Sequence, residues 1–303
     1  MKRSILAQEF RILLVGHIFP KSMESKILNQ KISPVQTQRF GIALLEAIRD
    51  GVGTCIEVFS VAPVLDFPSS GCVIAPGAIW SISNGIKAKM IPFINISALK
   101  HLTRFVGTFL YVYYWSIKNL GHRRVIIMHG VQSCKLWGVL LGQLLSPATT
   151  ISYLTDDIGI PTKWEGAIKK GFRGLDVRLM RIGLRKVTGV IAMTPWLAES
   201  LAPGKPRLIM NGILNTSEQS FRKCEPHRGR IFKIVYSGGL YHEHGIDLLL
   251  QAFNLANRPD WRLLITGYGD KEEVVRDASM KNPSIEYKGF LSTHELFSLY
   301  ESA

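Results

Sequence analysis

Three apolar runs in this chain end on glycine in the same way. Phe232 to Tyr236 clusters β-branched and aromatic residues as a buried strand does, and Ser237, Gly238 and Gly239 follow it. Trp261 to Thr266 ends in Gly267-Tyr268-Gly269, and Ile285 to Lys288 ends in Gly289-Phe290. Lacking a Cβ, glycine lets the backbone approach another group closely. A strand, a glycine turn and a helix N-terminus in succession present N–H groups to an anion such as a diphosphate. The same glycines also suit a plain strand-to-helix connection that needs only steric room, and short glycine motifs recur by chance. Beyond the first turn a polar loop carries His244, and Gly245-Ile246-Asp247 opens a helix with apolar residues at Leu248, Leu249, Ala252 and Phe253.

Earlier in the chain the strand ends carry polar groups instead. Arg11 to Gly16 closes on Gly16 and is followed by His17; Arg124 to Met128 runs into His129-Gly130. Thr150 to Leu154 ends in Thr155-Asp156-Asp157, ahead of a Gly159-Ile160-Pro161 loop, and Arg207 to Met210 closes on Asn211-Gly212. Ligand sites of open α/β sheets lie beyond the carboxyl ends of the strands. A lone histidine is more often structural than functional, and Asp156 reads equally as a ligand to a polar substrate or as a cap.

The elements that would position these residues alternate. Further strands are read at Cys55 to Val61 and Val187 to Met193. Helices are read at Thr37 to Arg49, Lys135 to Leu145, Leu175 to Lys186 and Pro195 to Leu201. Such alternation predicts a parallel sheet covered on both faces. A polar stretch, Asn215 to Arg230, reads as a linker, which predicts a first domain over 1–214, a linker over 215–230 and a second domain over 231–303. The second has three strand–helix units, the last helix opening at Thr293 with Ser292 as N-cap and Glu295 placed for a capping box.

At 303 residues, 47% of them apolar, the chain is long enough for two cored domains and is not disordered. Its four cysteines are scattered, without a Cys-x-x-Cys pair or zinc-type spacing, and read as buried thiols of a reducing compartment. The net charge of +14 is unevenly placed: Met1 to Arg222 holds 27 Lys+Arg against 12 Asp+Glu, the remainder 10 against 11. That asymmetry favours an anionic partner for the first part, whether a membrane surface, a phosphorylated lipid or nucleic acid; a generally basic composition is the bland alternative. Between Asp66 and Asp156 there is no acidic residue, and Lys87, Lys89, Lys100, Arg104, Lys118, Arg123 and Arg124 punctuate an aromatic-rich stretch. This fits a helix facing a lipid monolayer, and equally a core helix with solvated ends. No nucleic-acid motif is present. The longest apolar run, Phe105 to Ile117, is 13 residues, short of the roughly 20 that span a bilayer. With no convincing secretory leader, a cytoplasmic protein, soluble or peripheral, is expected.

In order, the segments RILLVG, IPFINISALKHL, YLTDDIG, RKVTGVIAMTPWLAESL, PRLIMNGI, FKIVYSGGLYHEHGIDLLLQAF, WRLLITGYGD and IEYKGFLSTHELFSLYESA resemble the retaining GT-B-fold glycosyltransferases of the group-1 type (glycosyltransferase family 4). They look closest to bacterial members that build exopolysaccharide or capsule. The resemblance covers nearly the whole chain. It implies an α/β, GT-B-like fold: a complete N-terminal Rossmann-like domain on the acceptor side and a partial second one that binds a UDP- or GDP-linked sugar. It implies sugar transfer with retention, without metal or cofactor, to a lipid-linked or other glycan acceptor at the inner face of the cell membrane.

By the same resemblance Gly238 and Gly239 lie beside the donor diphosphate, and Gly267 and Gly269 form the second glycine loop. Gly289 and Phe290 lie near the nucleobase, and His129 close to the transferred sugar. Gly16, Asp156, Asn211 and Gly212 border the interdomain cleft. Gly239 and His244 stand where many relatives carry Arg and Lys, so fewer fixed cations are expected at the diphosphate. The family's Glu-x7-Glu signature would begin shortly after Ser302, which makes a C-terminally truncated chain the expectation. A non-catalytic homologue that only docks on a membrane or partner is the rival reading.

Overall fold

The computed structural model describes residues 10–23, 35–52, 55–82, 85–158, 167–213 and 231–302. The chain divides into two compact units, Met1–Asn215 and Thr216–Ala303. The linker expected over 215–230 and the Gly159-Ile160-Pro161 loop lie outside the described residues.

The first unit runs β1 (Phe10–Gly16), α1 (Val35–Val52), β2 (Ile56–Val61), β3 (Ile74–Ala75), β4 (Ala78–Ile82), β5 (Ile86–Ile91), β6 (Phe93–Ile94), α2 (Ser97–Lys118), β7 (Arg123–His129), α3 (Ser133–Gly142), β8 (Thr149–Leu154), α4 (Ala167–Leu184), β9 (Gly189–Ala192), α5 (Pro195–Leu201) and β10 (Arg207–Ile209). Its eight-stranded sheet has the order β10-β9-β8-β7-β1-β2-β5-β4. Successive side chains on a strand point to opposite faces, and β1 shows it. Leu13 and Val15 pack with Val112 and Trp115 of α2, Leu136 and Val139 of α3, and Leu184 of α4. Ile12 and Leu14 pack instead with Leu44 and Leu45 of α1.

Seven strands are parallel, as the alternation predicts, but β4 pairs antiparallel with β5 at the sheet edge. A short β3–β6 ladder is antiparallel as well. Hairpin pairing needs only a short loop, whereas a parallel neighbour needs a crossover; residues 78–91 have no room for a helix. The thiols also depart from expectation: Cys134 is buried, but Cys55 and Cys72 are partly exposed.

The second unit runs β11 (Phe232–Ser237), α6 (Ile246–Ala256), β12 (Trp261–Thr266), α7 (Glu272–Lys281), β13 (Ile285–Tyr287) and α8 (Thr293–Ser302). Its strands form a parallel sheet in that order. The buried face of α6 is Ile246, Leu250 and Phe253, whereas Leu248 is 69% exposed and Ala252 is exposed as well. Burial therefore follows the i, i+4, i+7 row that starts at the first helical residue, not the row of neighbouring apolar letters. The capping box at α8 is present: Ser292 N donates to Glu295 Oε2 at 2.7 Å, and Glu295 N to Ser292 Oγ at 3.4 Å.

Helices α2 and α3 approach closely because α3 presents Gly138 and Gly142 to α2. A Cβ at Gly138 would lie 2.7 Å from Thr108 Cβ, and one at Gly142 would lie 2.9 Å from the Phe109 carbonyl. Gly171 of α4 faces open space. Gly142→Ala is expected to lower stability by ~1–3 kcal/mol through overpacking. Gly171→Ala should raise it by up to ~1 kcal/mol, by removing glycine from a helix interior. Urea unfolding midpoints of the two variants against wild type check the contrast.

Candidate functional site

In the first unit, polar groups converge at the carboxyl ends of β1, β2 and β7. His17, one residue past β1, is buried and donates from Nδ1 to the Val61 carbonyl at 3.0 Å. Its Nε2 therefore accepts from Lys135 Nζ, 2.7 Å away. Lys135 is fully buried at the start of α3, and its Nζ also lies 3.4 Å from the His129 carbonyl. From α2, Arg104 donates to the Ala62 carbonyl at 2.9 Å with its guanidinium 4.2 Å from the Phe93 ring centre. One turn earlier, Lys100 donates at 2.6 Å to both the Val64 carbonyl and Asp66. Burial pushes the Lys135 ammonium down to about 7 and Arg104 to about 10. His17 is held well below its ordinary value, first by burial and then by Lys135.

His129 is buried with its ring 4.8 Å from Phe40 and edge-on to Tyr153 at 6.4 Å. Burial, and then the Lys135 charge, bring its pKa to about 4. The ring is thus neutral at physiological pH, able to donate or accept a hydrogen bond but not to act as a cation. Its Nδ1 has no partner among the described residues. Gly16 is buried, and a Cβ there would lie 3.8 Å from His129 Cβ. Asp156 is exposed and accepts from Thr155 Oγ1 at 2.7 Å, and the neighbouring Asp157 has a buried, unpartnered Oδ1 among the described residues. Asn211 and Gly212 are exposed just past β10, where Tyr153 OH donates to the Met210 carbonyl at 3.0 Å. The sequence marks His17 as a strand-end residue and Arg104 as one of several cations, but it singles out neither Lys135 nor the meeting of the three. The available signal was Lys135, the one charge in the otherwise apolar SCKLWGVLLG helix.

In the second unit the glycine loops interlock. Gly238 N donates to Thr266 O at 3.1 Å, Leu240 N to Tyr268 O at 2.9 Å, and Gly267 N to Gly289 O at 2.9 Å. Gly267 has φ 139°, and a Cβ on it would stand 1.8 Å from the Gly238 carbonyl; one on Gly269 would stand 2.2 Å from the Leu240 carbonyl. These two glycines let one loop touch another. The amides of Gly238 and Gly267, expected to face a ligand, are committed within the protein. No acceptor is found among the described residues for Gly239 N or Gly269 N.

His244 Nδ1 donates to the Gly239 carbonyl at 2.8 Å, which also accepts from Tyr236 OH at 2.9 Å. Helix α6 has Gly245 at its N-cap and no side-chain cap. Asp247 in its first turn pairs with Lys271 Nζ at 2.8 Å, which holds the carboxyl below its usual range. Lys271 is a further cation that the sequence reading passed over. Phe290 is exposed, edge-on to Tyr268 with centroids 5.5 Å apart.

Residues 231–303 match the family model described as glycosyl transferases group 1. No curated protein matches the sequence significantly. Among solved structures, the apo lipopolysaccharide outer core galactosyltransferase WaaB is similar at a TM-score of 0.53 and 14% identity, over 95% of this chain and 70% of that one. The catalytic domain of starch synthase IV from Arabidopsis thaliana, bound to ADP and acarbose, is similar at 0.51 and 10%, over 97% and 76%. Anabaena HepE in complex with UDP and glucose is similar at 0.51 and 13%, over 94% and 70%. The chain therefore has the GT-B-like α/β fold of Rossmann-like units. Its second unit carries the segment that matches the group 1 glycosyl transferase model.

The buried bases make stability depend on pH. Lys135 has a pKa of about 7 in the fold against 10.5 ordinarily, so above pH 7 the unfolded chain binds more protons. Stability rises with pH across that window, by up to ~1.4 kcal/mol per unit. His129, at about 4 against 6.5, has the same sign: its contribution is lost as pH falls from 6.5 towards 4. Urea midpoints measured from pH 7 to 9 should climb in wild type and stay flatter in Lys135→Met.

Proposed function

We propose that the protein is a retaining glycosyltransferase that moves a sugar from a UDP- or GDP-linked donor to a lipid-linked glycan in bacterial polysaccharide assembly. It would work in the cytoplasm, peripheral to the anionic inner face of the cell membrane. The observation that carries this is the donor-type loop cluster of the segment matched to group 1 glycosyl transferases. There Gly239 N and Gly269 N have no protein acceptor among the described residues, and α6 begins without a side-chain cap. Amides and a helix N-terminus of this kind stabilise a departing diphosphate without a fixed cation. Phe290, exposed beside Tyr268, is suited to a nucleobase face. In WaaB, HepE and starch synthase IV the same fold belongs to proteins whose names or bound ligands involve sugars or nucleotides.

In this reading His129 donates a hydrogen bond to the transferred sugar as a neutral imidazole. Gly16, Asp156, Asn211 and Gly212 belong to the acceptor side, and His244 stands in for a fixed cation. One feature favours the non-catalytic reading. Gly239 and His244 bring no fixed positive charge, and the Lys271 cation at the start of α6 is already paired with Asp247.

The test is to incubate the protein with bacterial membranes and radiolabelled UDP- and GDP-sugars. Label is expected in the lipid extract with the donor's anomeric configuration kept. His129→Phe, which keeps an aromatic ring against Phe40, should cut turnover by ~100-fold, the scale of a lost transition-state donor. Absence of both transfer and nucleotide binding in the wild type would falsify the enzyme reading and leave the docking protein.

A further inference from the structure

Helix α2 is apolar on its outside as well as its inside. The inner positions Val112 and Trp115 are buried. The outer row Leu99, Leu102, Val106, Leu110, Tyr114 and Ile117 recurs at steps of three and four, the period of one helix face. Leu102, Leu110 and Tyr114 are 56%, 57% and 65% exposed. An all-round apolar helix is ordinarily buried on all sides, and this row extends over a helix about 33 Å long. Exposed apolar surface on that scale marks an interaction site.

The surroundings indicate which kind. Lys87 and Lys89 are exposed on β5, and their registered partners place them on the α2 face of the sheet. Lys89 reaches over the Tyr111 ring of α2 at 5.5 Å. Ile79, opposite Lys89 on the edge strand, is 81% exposed. Arg178, Arg181 and Arg185 are exposed on and just beyond α4, in the layer that packs on this same sheet face. Of the nearby described acids, Glu57 pairs with Lys118 at 3.8 Å and Asp66 with Lys100 at 2.6 Å, while Asp176 accepts a hydrogen bond from Ser133. A row of large apolar side chains flanked by cations that outnumber the unpaired acids among the nearby described residues is what an interfacial helix offers an anionic bilayer. No helix among the described residues is long and apolar enough to cross a membrane, so a surface-lying mode is the one available to α2.

We infer that the outer face of α2 lies in the headgroup region of an anionic membrane, with Leu102, Val106, Leu110 and Tyr114 dipping among the acyl chains and Lys87 and Lys89 on the lipid phosphates. This deepens the membrane part of the proposed function and does not depend on sugar transfer.

The full chain is sedimented with vesicles of three parts phosphatidylcholine to one part phosphatidylglycerol, and with phosphatidylcholine alone. Binding to the anionic vesicles is expected, and much less to the neutral ones. Leu102→Asp with Leu110→Asp should weaken binding at least ~10-fold. Lys87→Glu with Lys89→Glu, on a different element, should remove most of the anionic preference. Leu248→Asp, at an exposed apolar residue of α6, should bind as wild type does. Circular dichroism melting confirms that each variant is folded. Wild-type protein left in the supernatant overturns the inference. Unchanged binding by the leucine variant assigns any membrane contact to another surface and overturns it too, while leaving the transferase reading intact. A vesicle-free dimer that the leucine variant turns into a monomer, with lipid binding unaltered, would make a second copy the occupant and sink the lipid claim.

Discussion

A buried lysine with no carboxylate partner among the described residues ties together the strand ends of the first unit. Lys135 Nζ donates to His17 Nε2, and His17 Nδ1 passes a proton bond on to the Val61 carbonyl. Arg104 and Lys100 do the same for the carbonyls of Ala62 and Val64. Four cationic or titratable side chains, from α2, α3 and the loop after β1, thus bond to backbone carbonyls at and just past β2 and at the end of β7. Burying charge this way is costly, and the cost appears as a lysine whose pKa falls to about 7. Removing one member would strand buried acceptors, each worth ~1–3 kcal/mol. The loops around His129 are consequently fixed by the same bonds that give the site its weakly positive, low-dielectric character.

The second unit ties its loops together without a buried cation, its Asp247–Lys271 pair being partly exposed. Its strand-end loops are tied backbone to backbone, and Gly267 and Gly269 permit contacts that any side chain would block. Once those bonds are made, only a few amides remain for a ligand. The two units therefore tie their strand ends differently: buried side-chain cations bond to carbonyls in one, whereas backbone amides together with side-chain donors such as Tyr236, His244 and Tyr287 do so in the other. Oriented amides of this kind stabilise negative charge without reorganising, which is why the proposed donor role falls on this unit.

Helix α2 serves the core on one side and presents an apolar face on the other. Its inner face carries Arg104 and Lys100 into the buried cluster and, through Gly138 and Gly142 of α3, packs closely against its neighbour. Its outer face repeats large apolar residues where a solvent-facing helix would carry charge. Both faces come from one aromatic- and leucine-rich stretch, so composition alone could not say whether that stretch was core or surface. It is both, on different sides.

Much was legible beforehand for definite reasons. β-branched runs ending in glycine marked the parallel strands, a Ser–Glu pair three apart marked the start of α8, and the order of segments pointed to the GT-B-like fold. These signals are local, and local periodicity and capping are what a chain carries in its letters. What depended on pairing in space was not readable. Residues 78–91 form an antiparallel edge, Leu248 turns outward while Ile246 turns in, and the amides of Gly238 and Gly267 are used up by neighbouring loops. His17, Lys135 and Arg104 come from positions up to 118 residues apart, and nothing in their spacing announces that they meet. The chain by itself determined which segments become strands and helices and what kind of loops join them. Only the tertiary structure decided which polar groups those loops leave unbonded, because hydrogen-bond satisfaction is settled by contacts between elements, not within them.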